Sequence, residues 1–101
     1  MADTTVEAEL RRVCDLILQG DFMTAMNVLT PEAMNEAMVF AGNLAGVPLP
    51  ESYVVEAQEA ADGDHRFRIS FHTAVRDVDA YTTWREIDGI WRVTRVEVPA
   101  A

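Results

Sequence analysis

The fold is decided by residues 82–98, TTWREIDGIWRVTRVEV, in which an Asp-Gly pair separates two runs rich in β-branched and aromatic residues. Asp88-Gly89 between Ile87 and Ile90 is typical of a two-residue hairpin turn, whose two central residues take positive φ. Asp and Gly tolerate that conformation better than most residues do. The pattern therefore predicts two antiparallel strands, Ala80–Ile87 and Ile90–Val98.

The turn also predicts the register of the hairpin. A two-residue loop pairs Ile87 with Ile90, and residues that are directly paired share a face of the sheet. Counting back from the turn pairs Glu86 with Trp91 and Trp84 with Val93. Trp84, Trp91 and Val93 are therefore expected on the face that packs against the rest of the protein.

Two more strands are predicted before this hairpin. Residues 53–61 can form a strand, and Asp62-Gly63-Asp64 has turn chemistry. Residues 65–76 then alternate with a period of two, which is typical of a half-buried strand. One face would carry Phe67, Ile69, Phe71, Thr73 and Val75, and the other Arg66, Arg68, Ser70, His72 and Arg76. Residues 77–79 are expected to turn the chain.

Three helices are predicted in the N-terminal half. Thr4 and Glu7 have capping-box spacing, so the first helix is expected from about Thr5 to Gln19, with Gly20 as its C-cap. Asp21 would cap a short second helix. Thr30 followed by Pro31 starts the third. The expected apolar stripes are Phe22, Ala25, Met26 and Leu29 in the second helix, and Met34, Ala37, Met38, Ala41 and Leu44 in the third.

Together these elements predict one α+β domain over residues 1–101, with three N-terminal helices packed on one face of a curved four-stranded antiparallel sheet. The net charge of −9 argues against nucleic acid and against an anionic membrane surface as partners. No signal peptide and no membrane span is recognisable, which predicts a cytoplasmic protein. The single cysteine, Cys14, excludes an intramolecular disulfide and a site built on paired cysteines.

Two stretches carry a resemblance to a known family. Residues 16–34, LILQGDFMTAMNVLTPEAM, and the closing run 82–98 resemble the opening helices and last hairpin of the nuclear transport factor 2-like (cystatin-like, SnoaL-like) superfamily. The resemblance implies a half-cone with a pocket between helices and sheet. Relatives include ketosteroid isomerases, polyketide cyclases and dehydratases, and non-enzymatic binding or assembly domains. This chain is shorter than the enzymes and lacks their strand pair between the second and third helices. It therefore resembles a compact member of the superfamily.

The candidate catalytic residues are weak, and no catalytic residue is assigned. Glu86 would face inward opposite Trp91, where burial raises the pKa of a carboxylate, or would sit at the sheet rim in water. His72 could serve as a general base; the alternative is a surface histidine that pairs with a neighbouring acid. His65 is about 23 Å from His72 along one strand, so the two cannot share a metal. No cofactor motif and no metal site is recognisable. A pocket for a small apolar ligand would be lined by Met38, Tyr53, Phe71, Trp84 and Trp91.

The face away from the helices suggests an interface. Its predicted residues are Arg68, Tyr81, Arg85, Ile87, Ile90 and Arg92. Arginine and tyrosine are enriched in protein interfaces. We therefore predict a homodimer through this face, and a small non-enzymatic binding or assembly domain. The alternative is a small pocket enzyme or ligand-binding protein of the cyclase or isomerase type. It would need a cavity of roughly 300 Å³ or more with a polar group pointing into it.

Overall fold

The computed structural model describes residues 5–98 as three helices followed by four strands. The elements are α1 (Val6–Gln19), α2 (Phe22–Met26), α3 (Pro31–Gly42), β1 (Ser52–Ala61), β2 (Asp64–His72), β3 (Asp77–Ile87) and β4 (Ile90–Glu97). The strands form one antiparallel sheet in the order β1-β2-β3-β4. The predicted α+β class and the order of the elements are confirmed.

The helix ends follow from capping side chains. The Thr5 hydroxyl accepts a hydrogen bond from the Ala8 N–H at 3.2 Å, so the N-cap of α1 is Thr5. The prediction of Thr4 was one residue early, and Thr4 itself lies outside the described residues. Gly20 ends α1 in the left-handed conformation, with φ of 81°. Asp21 caps α2 and Thr30 caps α3, as predicted.

Helix α3 turns only part of the predicted stripe inward: Ala37 and Ala41 face the space between helices and sheet, but Met38 does not. Ala33 is fully buried, whereas Met38 is 62% exposed and Val39 is 69% exposed. Because the second half of α3 is apolar on every side, periodicity alone could not select the inward face. The expectation that Met38 belongs to the inward stripe was therefore wrong.

The closing hairpin has the predicted turn and register. Asp88 and Gly89 have φ of 54° and 78°, and Ile87 pairs with Ile90. The β1–β2 and β3–β4 hairpins each hold a bulge that the sequence did not reveal. Glu56 is skipped in the pairing of β1 with β2, and Thr94 in the pairing of β3 with β4. Bulges increase local twist, which bends the sheet around the helices.

Strand β2 ends at His72, four residues earlier than predicted. The Thr73 hydroxyl donates to the Arg76 carbonyl at 2.6 Å and accepts from the Arg76 N–H at 3.1 Å, which closes a turn over residues 73–76. The chain therefore turns there and not at 77–79, and β3 begins at Asp77. Val75, expected on the core face, lies in this turn and is 65% exposed.

The linker between α2 and α3 covers the outer edge of β4. The Thr30 N–H donates to the Val93 carbonyl at 3.0 Å, and the Val93 N–H donates to the Val28 carbonyl at 2.8 Å. Further along β4, the Val96 N–H donates to the Glu36 carboxylate at 2.9 Å. These bonds hold α3 against β4 and satisfy groups that an open edge would expose.

The core lies between the helices and the inner face of the sheet. Its most deeply buried large side chains are Leu10, Cys14, Phe67, Ile69 and Trp84. Trp91 shares the face of Trp84, as the register requires, but is only half-buried. Glu86, paired with Trp91, is exposed, so the helices do not cover the hairpin end of the sheet.

Candidate functional site

A cavity of about 430 Å³ lies between the three helices and the inner face of the sheet. Helix α1 contributes Leu10, Val13, Cys14 and Ile17 to its wall, and α3 contributes Ala37, Phe40 and Ala41. The sheet contributes Ile69, Phe71, Val78, Ala80, Thr82, Trp84, Val93 and Val96. The small side chains Ala37 and Ala80, where a core would usually hold larger ones, help to leave this volume unfilled.

The mouth of the cavity lies between the start of α2 and the loop that follows α3. Phe22 and Leu49 both line the cavity, yet they are 45% and 46% exposed. Gly20 lies against this loop, since a Cβ atom built on it would stand 3.2 Å from Leu49 Cδ1. The loop is tied to the sheet where the Glu51 N–H donates to the His72 carbonyl at 2.8 Å.

Four lining residues, Cys14, Thr73, Thr82 and Trp84, carry a thiol, hydroxyl or indole N–H group. The Thr82 hydroxyl accepts the indole N–H of Trp84 at 3.1 Å. The Thr73 hydroxyl is engaged by its own turn. Burial raises the pKa of the Cys14 thiol to about 12, so it stays protonated at neutral pH. The walls therefore offer no group that exchanges protons near neutral pH.

Comparison with known proteins bears on the fold. No protein-family model and no curated protein matches the sequence. Among solved structures, the chain is similar to Rd1NTF2_05, a designed nuclear transport factor 2-like protein with five substitutions. That match has a TM-score of 0.62 and 14% sequence identity, and covers 88% of this chain and 91% of the other.

The chain has the nuclear transport factor 2-like fold. The resemblance inferred from the opening helices and the closing hairpin is thus confirmed at the level of fold. In the part of the chain that the structure describes, every helix is too short or too polar to cross a membrane.

The NTF2-like cavity includes two of the five predicted ligand-binding residues, Phe71 and Trp84. Tyr53 packs beside the cavity, with its ring centroid 6.4 Å from that of Phe71. Trp91 lies beyond it, edge-on to His65 at 5.3 Å. Met38 points away from it on the exposed side of α3. Sequence reasoning missed Cys14 and the Val47–Pro50 loop, although their apolar character was visible.

The two weak catalytic candidates lie outside the cavity. His72 is on the outer face of the sheet, where its Nδ1 is 2.6 Å from the Asp77 carboxylate and both side chains are 63% exposed. Glu86 is exposed near the closing turn. Residues 5–98 contain no group of three or more His, Cys, Asp or Glu side chains able to hold a metal ion.

The outer face of this NTF2-like sheet is laced with ion pairs. Arg68 meets Asp79 at 2.9 Å, which raises the pKa of the guanidinium and lowers that of the carboxylate. The Arg66 guanidinium lies 3.9 Å from the centre of the Tyr81 ring. Arg85 meets Asp64 at 2.7 Å. The positive charge predicted for this face is therefore largely balanced within the chain.

The hairpin tip of the same face stays apolar and open. Ile87 is 38% exposed and Ile90 is 51% exposed. Arg92, also assigned to this face, turns to the edge of β4 and donates to the Asn27 carbonyl at 2.6 Å. Of the predicted interface residues, the two isoleucines thus offer the exposed apolar surface.

Proposed function

We propose that this protein is a non-enzymatic binding domain that holds a small, mostly apolar molecule in the cavity between its helices and sheet. The observation that carries the proposal is a volume of about 430 Å³ enclosed almost entirely by apolar side chains. That volume lies within the range of pockets that bind small molecules, roughly 300–1,000 Å³.

The physics of water favours such an occupant. Water needs two to four polar partners to be held well, and apolar cavities are poor hosts for it. Thr73, Thr82 and Cys14 provide few free partners, since both hydroxyls already bond within the chain. An apolar ligand would gain about 0.8 kcal/mol for each CH₂ group that it removes from water.

The wall chemistry supports binding over catalysis. General acid–base catalysis needs a side chain of suitable pKa within hydrogen-bond reach of the reacting atom. The two titratable candidates, Glu86 and His72, are both exposed outside the cavity, and the Cys14 thiol is held protonated. An isomerase or cyclase activity, the alternative suggested by the resemblance, has no such group on the cavity wall.

An uncharged fluorescent probe tests the proposal. N-phenyl-1-naphthylamine should bind stoichiometrically, gain fluorescence and quench Trp84, which lines the cavity. Ala37→Phe should abolish this by filling the cavity, whereas Ala61→Phe, which adds the same side chain at an exposed site on β1, should leave it intact. Equal binding by both variants, or none by the natural protein, would overturn the proposal.

The same domain is proposed to self-associate through the outer face of its sheet. The support is the pair of exposed isoleucines at the hairpin tip, Ile87 and Ile90, together with the half-buried Tyr81 on the same face. A two-fold contact would bring each apolar tip against an equivalent surface of a second copy. The arginine pairs already formed within the chain would border that contact.

A further inference from the structure

Within the described residues, Arg76 differs from the other arginines because its side chain has no ion pair and no hydrogen bond. Seven of the eight make ion pairs or hydrogen bonds within the chain: Arg11 with Glu7, Arg12 with Glu9, Arg66 with Glu97, Arg68 with Asp79, Arg85 with Asp64, Arg92 with the Asn27 carbonyl, and Arg95 with Glu36. Between residues 5 and 98, the Arg76 side chain alone among the arginines has neither kind of contact. The guanidinium is thus available to an external anion.

The position of Arg76 places it beside the cavity. It closes the turn that begins at Thr73, whose N–H donates to the Arg76 carbonyl at 3.1 Å. Thr73 and Val78, three residues before and two after Arg76, both line the cavity. Asp77 directs its carboxylate to the outer face, against His72. Arg76 itself is exposed in the turn that immediately precedes β3, between these two lining residues.

The Val47–Pro50 loop, which borders the mouth of the cavity, lies at the same end of the sheet as Arg76. The bond from the Glu51 N–H to the His72 carbonyl joins the end of this loop to the residue just before Thr73. Leu49 and Pro50, next to Glu51, line the cavity. The turn that carries Arg76 and the loop that borders the opening are thus adjacent, since this bond joins the residues that flank them.

We infer that the ligand is an amphiphilic carboxylate, with its apolar chain inside the cavity and its carboxylate at the mouth on Arg76. This inference rests on the proposed binding function. A charged head cannot be accommodated among apolar walls without a large desolvation cost, so it must remain at the opening. A guanidinium matches the two oxygens of a carboxylate in a planar bidentate contact.

Charge considerations limit the head to a single negative charge. The protein carries a net charge of −9, and Glu51 and Asp21 flank the mouth-lining residues Pro50 and Phe22. A dianion such as a phosphate monoester would meet stronger repulsion from these groups than a carboxylate would. One arginine offsets one charge, and no second unpaired arginine lies within the described residues.

Three ligands of equal chain length separate the contributions of the chain and of the head. Dodecanoate, dodecanol and dodecyltrimethylammonium would each be titrated below their micelle concentrations, with displacement of N-phenyl-1-naphthylamine as the readout. We expect dodecanoate to bind about fivefold more tightly than dodecanol, equivalent to about 1 kcal/mol for a partly exposed ion pair. The cationic amphiphile should gain no such preference.

A substitution at Arg76 tests whether this residue causes the preference for dodecanoate over dodecanol. Arg76→Gln should reduce dodecanoate binding to the level of dodecanol and leave dodecanol binding unchanged. Arg12→Gln makes the same change of charge on the exposed side of α1, where the guanidinium pairs with Glu9, and should retain the preference. A preference that survives Arg76→Gln, or equal binding of the alcohol and the carboxylate to the natural protein, would refute the inference but not the proposed function. Binding of none of the three ligands, or of the probe, would overturn both.

Discussion

Trp84 donates its indole N–H to the hydroxyl of Thr82, two residues earlier on the same strand, at 3.1 Å. Trp84 has no exposed surface, so this hydroxyl is the partner that a buried indole requires. Both side chains line the cavity, and their bond removes a donor and an acceptor from its sheet wall. One local contact therefore stabilises the core and also makes the site more apolar.

Replacing that hydroxyl should be costly although little volume changes. In Thr82→Val the indole N–H would be buried without a partner, and we expect a loss of about 1–3 kcal/mol in the free energy of unfolding. Chemical denaturation monitored by tryptophan fluorescence measures it. Thr83→Val is the control, because residue 83 faces outward beside Arg95 and its variant should change stability by less than about 0.5 kcal/mol. Equal losses in the two variants would mean that strand packing, not the hydrogen bond, sets the cost.

The closing turn could be predicted from sequence because its chemistry is local. Asp88 and Gly89 both take the positive φ that the hairpin needs, and the register of Trp84 with Val93 follows from counting. The bulge at Thr94 could not be predicted, since no glycine marks it. It lies next to Val93, whose N–H donates to the Val28 carbonyl across the sheet edge. It shifts the pairing of all later residues of β4 by one.

The cavity and the position of Arg76 were harder to predict from the sequence than the closing turn. An unfilled volume depends on how far α1 and α3 stand from the sheet, which no periodic pattern encodes. Arg76 was assigned to the outer face because alternation was extended through residues 73–76, where the Thr73 hydroxyl bends the backbone into a turn. The partners of the other arginines on the sheet could be predicted only once the strand register was known. Arg85 and Asp64, for example, form an ion pair because they are directly opposite each other on the neighbouring strands β3 and β2.

Two glycine substitutions should change stability in opposite directions. Gly89 and Gly42 both face open space, so an added Cβ meets no atom within 4 Å at either site. Gly89 has φ of 78°, and Gly89→Ala should destabilise by more than about 0.5 kcal/mol. Gly42 is the last residue of α3 and has no positive φ, so Gly42→Ala should stabilise by about 0.5–1 kcal/mol. Thermal melts that moved in the same direction would contradict this account.

The buried thiol should make stability fall at high pH. Burial raises the pKa of Cys14 from 9.0 to about 12, so above pH 9 the unfolded chain loses a proton that the folded chain keeps. The folded state then binds more protons, and the free energy of unfolding decreases with pH by up to about 1.4 kcal/mol per unit between the two pKa values. Below pH 9 this group makes no difference.

The variant Cys14→Ala isolates that contribution. Other groups titrate in both proteins, so the quantity to measure is the difference in unfolding free energy between the natural protein and the variant. It should be constant up to about pH 8.5 and should shrink above that. A difference that stays constant to pH 11 would mean that the thiol is solvated in the folded state.

Self-association is tested by placing charge on the hairpin tip. Ile87 and Ile90 are paired directly across the closing turn and exposed on the outer face, so Ile87→Asp with Ile90→Asp would bury four unpaired carboxylates in a two-fold dimer. In the monomer both sites face water, and the fold should persist. Sedimentation equilibrium at micromolar concentration should show a dimer for the natural protein and a mass near 11.2 kDa for this variant. Met38→Asp with Val39→Asp adds the same charge on the exposed side of α3 and should remain dimeric. If the natural protein sediments near 11.2 kDa at every concentration, the dimer is ruled out. If only the α3 variant is monomeric, the dimer contact is made by the helices and not by the sheet.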